Sequence, residues 1–366
     1  MRENLRPPFR ADQVGSLLRP GKLLEARAKA KAGEITAEEL GKVQDDAIRE
    51  AVKKQEALGL KAVTDGEFRR DYWHLDFFWR LDGIEPWRAQ RGSDFATSEQ
   101  PPLARVVEKV RWRSGIFTEH FAALNGFTAC TAKQTIPGPA MIHLRAGREA
   151  VDPAVYPDLE EFWLDLTRAY RAEIAGLYER GCRYLQIDDV SFAHLCDPKI
   201  RDGMRGRGDE PDKLLQLYCG LINAVISDRP DDLVVTTHIC RGNFRSTWAA
   251  QGGYEPVAEA VFGSLAVDGF FLEYDSERAG DFAPLRFVPR DKVAVLGLIT
   301  TKTPTLESKD VIKRRIDEAT SYLSIEQLCL SPQCGFASTH HGNAITEDDQ
   351  WRKLALVVET ADQIWG

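Results

Sequence analysis

Short apolar runs recur eight times along this chain: Phe9–Gly15, Leu60–Thr64, Phe127–Thr135, Tyr184–Ile187, Leu233–His238, Val267–Leu272, Val293–Ile299 and Gln327–Leu330. Most are β-branched or aromatic and continuous, the pattern of strands buried on both faces. Longer stretches of helical periodicity separate most of them. Ile35–Leu58 opens on Thr36, with Glu39 three residues later forming a capping box. Asp158–Arg180 repeats Leu159, Phe162, Trp163, Leu166, Tyr170, Ile174 and Leu177, then stops at Gly181. Asp212–Ser227, Pro256–Phe262, Lys309–Tyr322 and Asp348–Trp365 read as further helices.

Strands alternating with helices imply βαβ units and a parallel sheet. Eight of them in 366 residues point to a single α/β domain over residues 1–366, a (β/α)8 barrel. A doubly wound open sheet is the alternative, but no G-x-G-x-x-G follows an early strand. The turn-rich stretch Trp87–Leu103 marks an inserted loop region around 87–126, since the alternation resumes beyond it.

Lys plus Arg number 48 against 56 Asp plus Glu, a formal charge of −8. That balance argues against a general nucleic-acid partner. No apolar run approaches the ~20 residues that span a bilayer, so no membrane partner is expected. The polar start MRENLRPPFR is unlike a secretory leader, and the expected location is cytoplasmic. Seven cysteines, an odd and scattered set, do not read as a disulfide framework.

In a barrel, chemistry sits just past the carboxyl ends of the strands. Polar and metal-capable groups gather there at nearly every run. His238 and Cys240 are two apart, so on a strand they face the same way. Alone, His-x-Cys is read as a half-buried histidine beside a core cysteine. With Glu273 ending the next run and Cys334 following the last, the set suits Zn²⁺. Cys130, Cys182, Cys219 and Cys329 fall in apolar patterns and read as core, while Cys196 is ambiguous. No partner can be named for His74, His120 or His143.

As an ordered set, VGS at Val14–Ser16, DGEFRRD at Asp65–Asp71, QIDD at Gln186–Asp189, THIC at Thr237–Cys240, LEYD at Leu272–Asp275 and SPQCG at Ser331–Gly335 carry a resemblance. From Phe9 to Ile364 the chain resembles the C-terminal catalytic barrel of cobalamin-independent methionine synthase, and its short single-barrel members above all. The resemblance implies Zn²⁺ on His238, Cys240, Glu273 and Cys334. It implies that Val14, Gly15 and Ser16 contact the carboxylate of homocysteine, and that Glu67 and Asp188 hold its ammonium group. From the residues alone, Glu67 also reads as a helix N-terminal charge and Asp188 and Asp189 as caps.

Two departures stand out. Full-length family members carry His-Ser-Pro after the seventh strand, whose histidine donates a proton; here the stretch is Lys302-Thr303-Pro304. They also carry a tryptophan after the Gly-Pro of the third strand that stacks on the folate; residues 138–145 contain none. Lys302, His340 and His341 are the candidate proton donors in its place. Trp73, Trp79 and Trp248 are the candidate aromatic faces. The expected partners are therefore homocysteine and a methyl donor, either 5-methyltetrahydrofolate or another. Two further readings are an epoxyalkane–coenzyme M type of thiol alkyltransferase and a non-catalytic zinc-binding barrel. The carboxylates Glu67 and Asp188 favour an amino-acid thiol over a sulfonate.

Overall fold

The computed structural model describes residues 6–88 and 102–366. In chain order the strands are β1 (Ala62–Val63), β2 (Asp82–Trp87), β3 (Leu103–Arg111), β4 (Thr131–Ala132), β5 (Gln134–Pro137), β6 (Tyr184–Asp188), β7 (Val234–Ile239), β8 (Gly269–Glu273), β9 (Val293–Ile299) and β10 (Leu328–Pro332). Strands β5 to β10 form one parallel sheet in sequential order, and β1 pairs in parallel with β4. Every residue of β5, β6, β8 and β10 is buried, as continuous apolar runs between layers require.

The pairings visit the predicted runs in chain order. The first run departs from expectation: it is not a strand but a single bridge, Ala11 to Leu330. The Asp12 carboxylate accepts the Phe9 and Gln13 N–H groups (3.2 and 2.8 Å), turning the backbone away from a ladder. The joint between this run and β1 is made by side chains. Thr64 Oγ1 donates to the Gly15 carbonyl (2.6 Å), and Gln13 Nε2 donates to Thr64 Oγ1 (3.2 Å). Run 127–135 is split at Lys133 into β4 and the start of β5, so one run pairs with both its neighbours.

The inserted region 87–126 is also corrected. Asp82–Trp87 and Leu103–Arg111 form an antiparallel hairpin, and Thr118–Asn125 is helical; the rest of the supposed loop, residues 89–101, lies outside the described residues. Ala104, Val106 and Val110 alternate inward, the half-buried pattern of a two-layer strand.

The predicted helices are present at Ala37–Ala57, Leu159–Glu179, Pro211–Ile226, Glu255–Ser264, Lys309–Ala319 and Glu347–Trp365. The Thr36–Glu39 capping box forms, and Asp158 caps the second helix. Near the amino ends of the strands, Lys133 lies fully buried between Asp12 Oδ1 (3.1 Å) and the Gln13 carbonyl (2.6 Å), above the Phe271 ring. Among the described residues no helix is long and apolar enough to cross a membrane.

Candidate functional site

The parallel register levels the carboxyl ends of the strands. It places Asp188, last residue of β6, beside His238 of β7. His238 and Cys240 both line the interior cavity while Ile239 between them does not, as strand alternation requires. Cys334 arrives from the turn after β10. Its Sγ lies 3.8 Å from that of Cys240, and both sulfurs and a His238 ring nitrogen lie within 4.8 Å of one another.

That spacing tests the metal expectation. Two thiolates on one tetrahedral ion, each ~2.3 Å from it, sit about 3.8 Å apart. The donor set and the sulfur separation therefore both fit Zn²⁺. The two sulfurs are joined by a hydrogen bond. That bond, with His238 beside it, holds Cys334 well below the ordinary thiol range.

Glu273, the fourth expected ligand, lies apart from these three. Its Oε1 pairs with Arg278 (2.8 Å), and its Oε2 accepts the Arg241 backbone N–H (2.9 Å). The guanidinium of Arg278 also reaches Asp275 (2.9 Å) and covers the half-exposed Trp248 ring. Trp248 thus packs over this ion pair and is not on the cavity wall.

The cluster floors a cavity that opens to solvent. Val14, Ser16, Glu67, Asp188 and Asp189 also line it. Glu67 is held in an unusual backbone state (φ 59°), a strain that persists only where surroundings enforce it. Here Asp65 Oδ1 accepts the Glu67 N–H (2.8 Å), and the buried Arg19 donates to the Glu67 and Arg70 carbonyls (3.0 and 3.1 Å). Thr135 Oγ1 bonds Glu67 Oε1 (2.9 Å), leaving Oε2 buried and unmatched. Burial pushes the Glu67 carboxyl up to about 7, against the pull of Arg70. Asp189 is pushed up to about 6, also by burial, with Ser191 opposing.

Val14 and Ser16 reach the wall, but Gly15 does not: its carbonyl is taken by Thr64. Ser16 also braces the Cys334 turn. Its carbonyl accepts the Phe336 N–H (2.9 Å), and a Cβ on Gly335 would fall 1.9 Å from Ser16 Oγ. Glycine at 335 is thus demanded by close approach.

The three proton-donor candidates fall elsewhere. Lys302 is buried and its charge acts on Glu273, Asp275 and Cys334, but it is not among the lining residues. His340 and His341 pack on each other at a tilt (centroids 3.8 Å) behind the rim, against Tyr72 and Phe244 respectively. The rim itself holds the candidate Trp73 and side chains to which the sequence reading gave no role: Tyr72, His74, His194, Asn243 and Phe244. Trp73 is the aromatic face that does reach the cavity, whereas Trp79 packs on Tyr72. The placement of Tyr72-Trp73-His74 directly after DGEFRRD was the available signal. Of the other unassigned histidines, His120 stacks on Phe117 and His143 bonds Tyr218.

Residues 9–362 match the family model described as cobalamin-independent synthase, catalytic domain. The chain is 47% identical over 363 residues to YxjG of Bacillus subtilis, an uncharacterized protein, covering 98% of this chain and 96% of that one. A methionine synthase of Pyrococcus abyssi is 24% identical over 323 residues, 88% of this chain and 84% of that protein. Among solved structures, a putative vitamin-B12 independent methionine synthase from Listeria monocytogenes superposes with a TM-score of 0.79 at 43% identity, over 98% of both chains.

Proposed function

The chain belongs to the cobalamin-independent synthase catalytic-domain family, and on that premise we propose that it is a zinc-dependent methyltransferase acting on the thiol of homocysteine to give methionine. The observation that carries this reading is the buried His238, Cys240 and Cys334 cluster, with a sulfur spacing fit for one tetrahedral ion, on the floor of an acid-walled cavity. Three protein ligands with one open position is the arrangement of a catalytic site, not a closed structural one. Glu273 is the reserve fourth ligand, reached by exchange from Arg278. The same reading takes the eight runs as one closed barrel, with Thr64 and Gln13 bridging the unladdered joint.

Bound on His238, Cys240 and Cys334, zinc supplies the charge that turns the substrate thiol into a thiolate at neutral pH. Glu67 and Asp188 take the substrate ammonium, with Glu67 Oε2 supplying an acceptor that no protein group satisfies. The Val14–Ser16 segment faces the carboxylate. Trp73 and Phe244 give the methyl donor its aromatic wall. His340 and His341, behind the rim against Tyr72 and Phe244, remain the candidate proton donors. Lys302 instead balances the negative charge of Glu273 and Cys334.

A sulfonate thiol has no ammonium for Glu67 and Asp188, which disfavours the coenzyme M reading. The test is methionine formation by zinc-replete protein from homocysteine with 5-methyltetrahydrofolate, as mono- and triglutamate, or with methylcobalamin. Turnover with any donor supports the reading. Zinc retained but indifferent to homocysteine, by absorption spectroscopy, refutes it.

A further inference from the structure

Gln186 and Asp188 sit two apart on β6, both inward, and neither is a metal ligand. Gln186 is fully buried. Its amide nitrogen donates to the Val14 carbonyl (2.7 Å) and to Asp188 Oδ1 (2.7 Å). Both partners are pure acceptors, so the amide orientation is fixed: a flipped oxygen would meet a carbonyl and a carboxylate. Asp188 Oδ1 lies also 3.1 Å from His238 Nδ1. A carboxylate oxygen accepts, so Nδ1 carries the hydrogen. Nε2, 3.3 Å from the Gln333 carbonyl, is then the ring nitrogen left for a metal at the Cys240–Cys334 cluster. Among the described residues no donor reaches Asp188 Oδ2, and Asp188 lines the cavity.

We infer that Gln186 and Asp188 are positioning residues: together they lock the His238 ring in the tautomer that binds metal, and tie it to the Val14–Ser16 segment that receives the amino acid. The inference rests on the zinc reading above. Asp188 divides its carboxylate. Oδ1 is spent on Gln186 and His238, and Oδ2 faces the substrate space. Gln186 decides which oxygen does which. A hydrogen-bonded partner of this kind orients the imidazole and raises its basicity, and its loss typically lowers metal affinity ~10–100-fold.

The experiment measures zinc affinity by chelator competition, and the absorption of the Co²⁺-substituted protein, for the full chain and for Asp188→Ala, Asp188→Asn and Gln186→Leu. Circular dichroism confirms folding of each. Asp188→Ala is expected to lose ~10–100-fold in zinc affinity and to shift the Co²⁺ bands, and Gln186→Leu to lose ~10-fold. Asp188→Asn, whose carbonyl oxygen still accepts from Nδ1, recovers part of the loss. Should Asp188→Ala fail to fold, the near-isosteric Asp188→Asn and Gln186→Leu carry the comparison against the unaltered chain. Unchanged affinity and spectrum in Gln186→Leu and the Asp188 variants, with the unaltered chain binding zinc, overturn the inference and leave the zinc reading standing. Equal loss in Asp188→Asn and Asp188→Ala overturns the hydrogen-bond account. An unaltered chain that binds neither Zn²⁺ nor Co²⁺ overturns both readings.

Discussion

Ionisation of Glu67 should govern the pH dependence of amino-acid binding. Burial lifts this carboxyl from 4.5 to about 7, with Arg70 and Thr135 opposing. An ammonium group meets a carboxylate, not a carboxylic acid, so only the ionised form binds well. The apparent dissociation constant then carries a factor of 1 + 10^(7 − pH), about elevenfold at pH 6 and about 1.1-fold at pH 8. Affinity should rise about tenfold across that range. Methionine is the right probe, because it has the ammonium and carboxylate but no thiol proton of its own. Isothermal titration at pH 7 in buffers of different ionisation enthalpy should show about half a proton released per methionine bound. Glu67→Gln should bind weakly and without this slope. A flat profile in the unaltered protein, or the same slope in Glu67→Gln, would refute the assignment. The stability sign is separate. The folded value is raised, so protonated Glu67 favours the fold below 4.5, and that contribution is lost as pH rises through about 7.

Cys240→Ser should lose tightly bound zinc and activity together while its circular dichroism stays native; metal analysis showing one equivalent retained would sink the ligand assignment. Lys133→Met strands Asp12 in a fully buried pocket, and should cost about 3–5 kcal/mol in urea unfolding. The added change Asp12→Asn should restore part of that loss, and no recovery would argue that the pair is not the cause. Arg278→Gln releases Glu273 toward the cluster, so zinc affinity should rise several-fold by chelator competition; an unchanged value means Glu273 does not serve as a ligand.

The sheet was legible because burial on both faces leaves a continuous apolar run with no other explanation, as in β6 to β9. The first run was misread because Asp12, a short side chain that captures nearby N–H groups, outweighs its apolar neighbours. The hairpin of β2 and β3 was missed for the opposite reason: its residues alternate, and Pro86 and Gly83 within it read as turn signals. Of the site, His238, Cys240 and Cys334 were readable because strand period two and strand-end position fix where side chains go. The state of Glu273 was not, since Arg278 lies five residues downstream in a 3-10 turn whose direction no periodicity reports. The rim residues come from loops, whose closeness to the cavity depends on contacts between distant segments, such as Trp73 N–H to the Ser338 carbonyl (3.0 Å).

The charges around the cavity explain which partners it can take. Glu67, Asp188 and Asp189 crowd its wall, and two thiols its floor. Three of the nearby cations are committed, Arg19 to backbone carbonyls, Arg70 to Thr135 and Glu67, and Arg278 to Glu273 and Asp275, while Arg145 lines the cavity and Lys302 lies buried behind it. A cavity with those three cations committed and an unmatched carboxylate oxygen attracts positive charge, and low dielectric strengthens that attraction. A divalent metal at the floor and an ammonium at the wall satisfy the same field together. A methyl donor with negative charge near its reacting end would be repelled. Its anionic portions must stay at the rim, where Arg145 lines the cavity. The aromatic side chains Tyr72, Trp73 and Phe244 occupy the border between these regions, where a neutral planar donor loses least on entering. If the cavity takes an amino acid and a methyl donor as proposed, the acid wall would both hold the first and set the direction from which the second arrives.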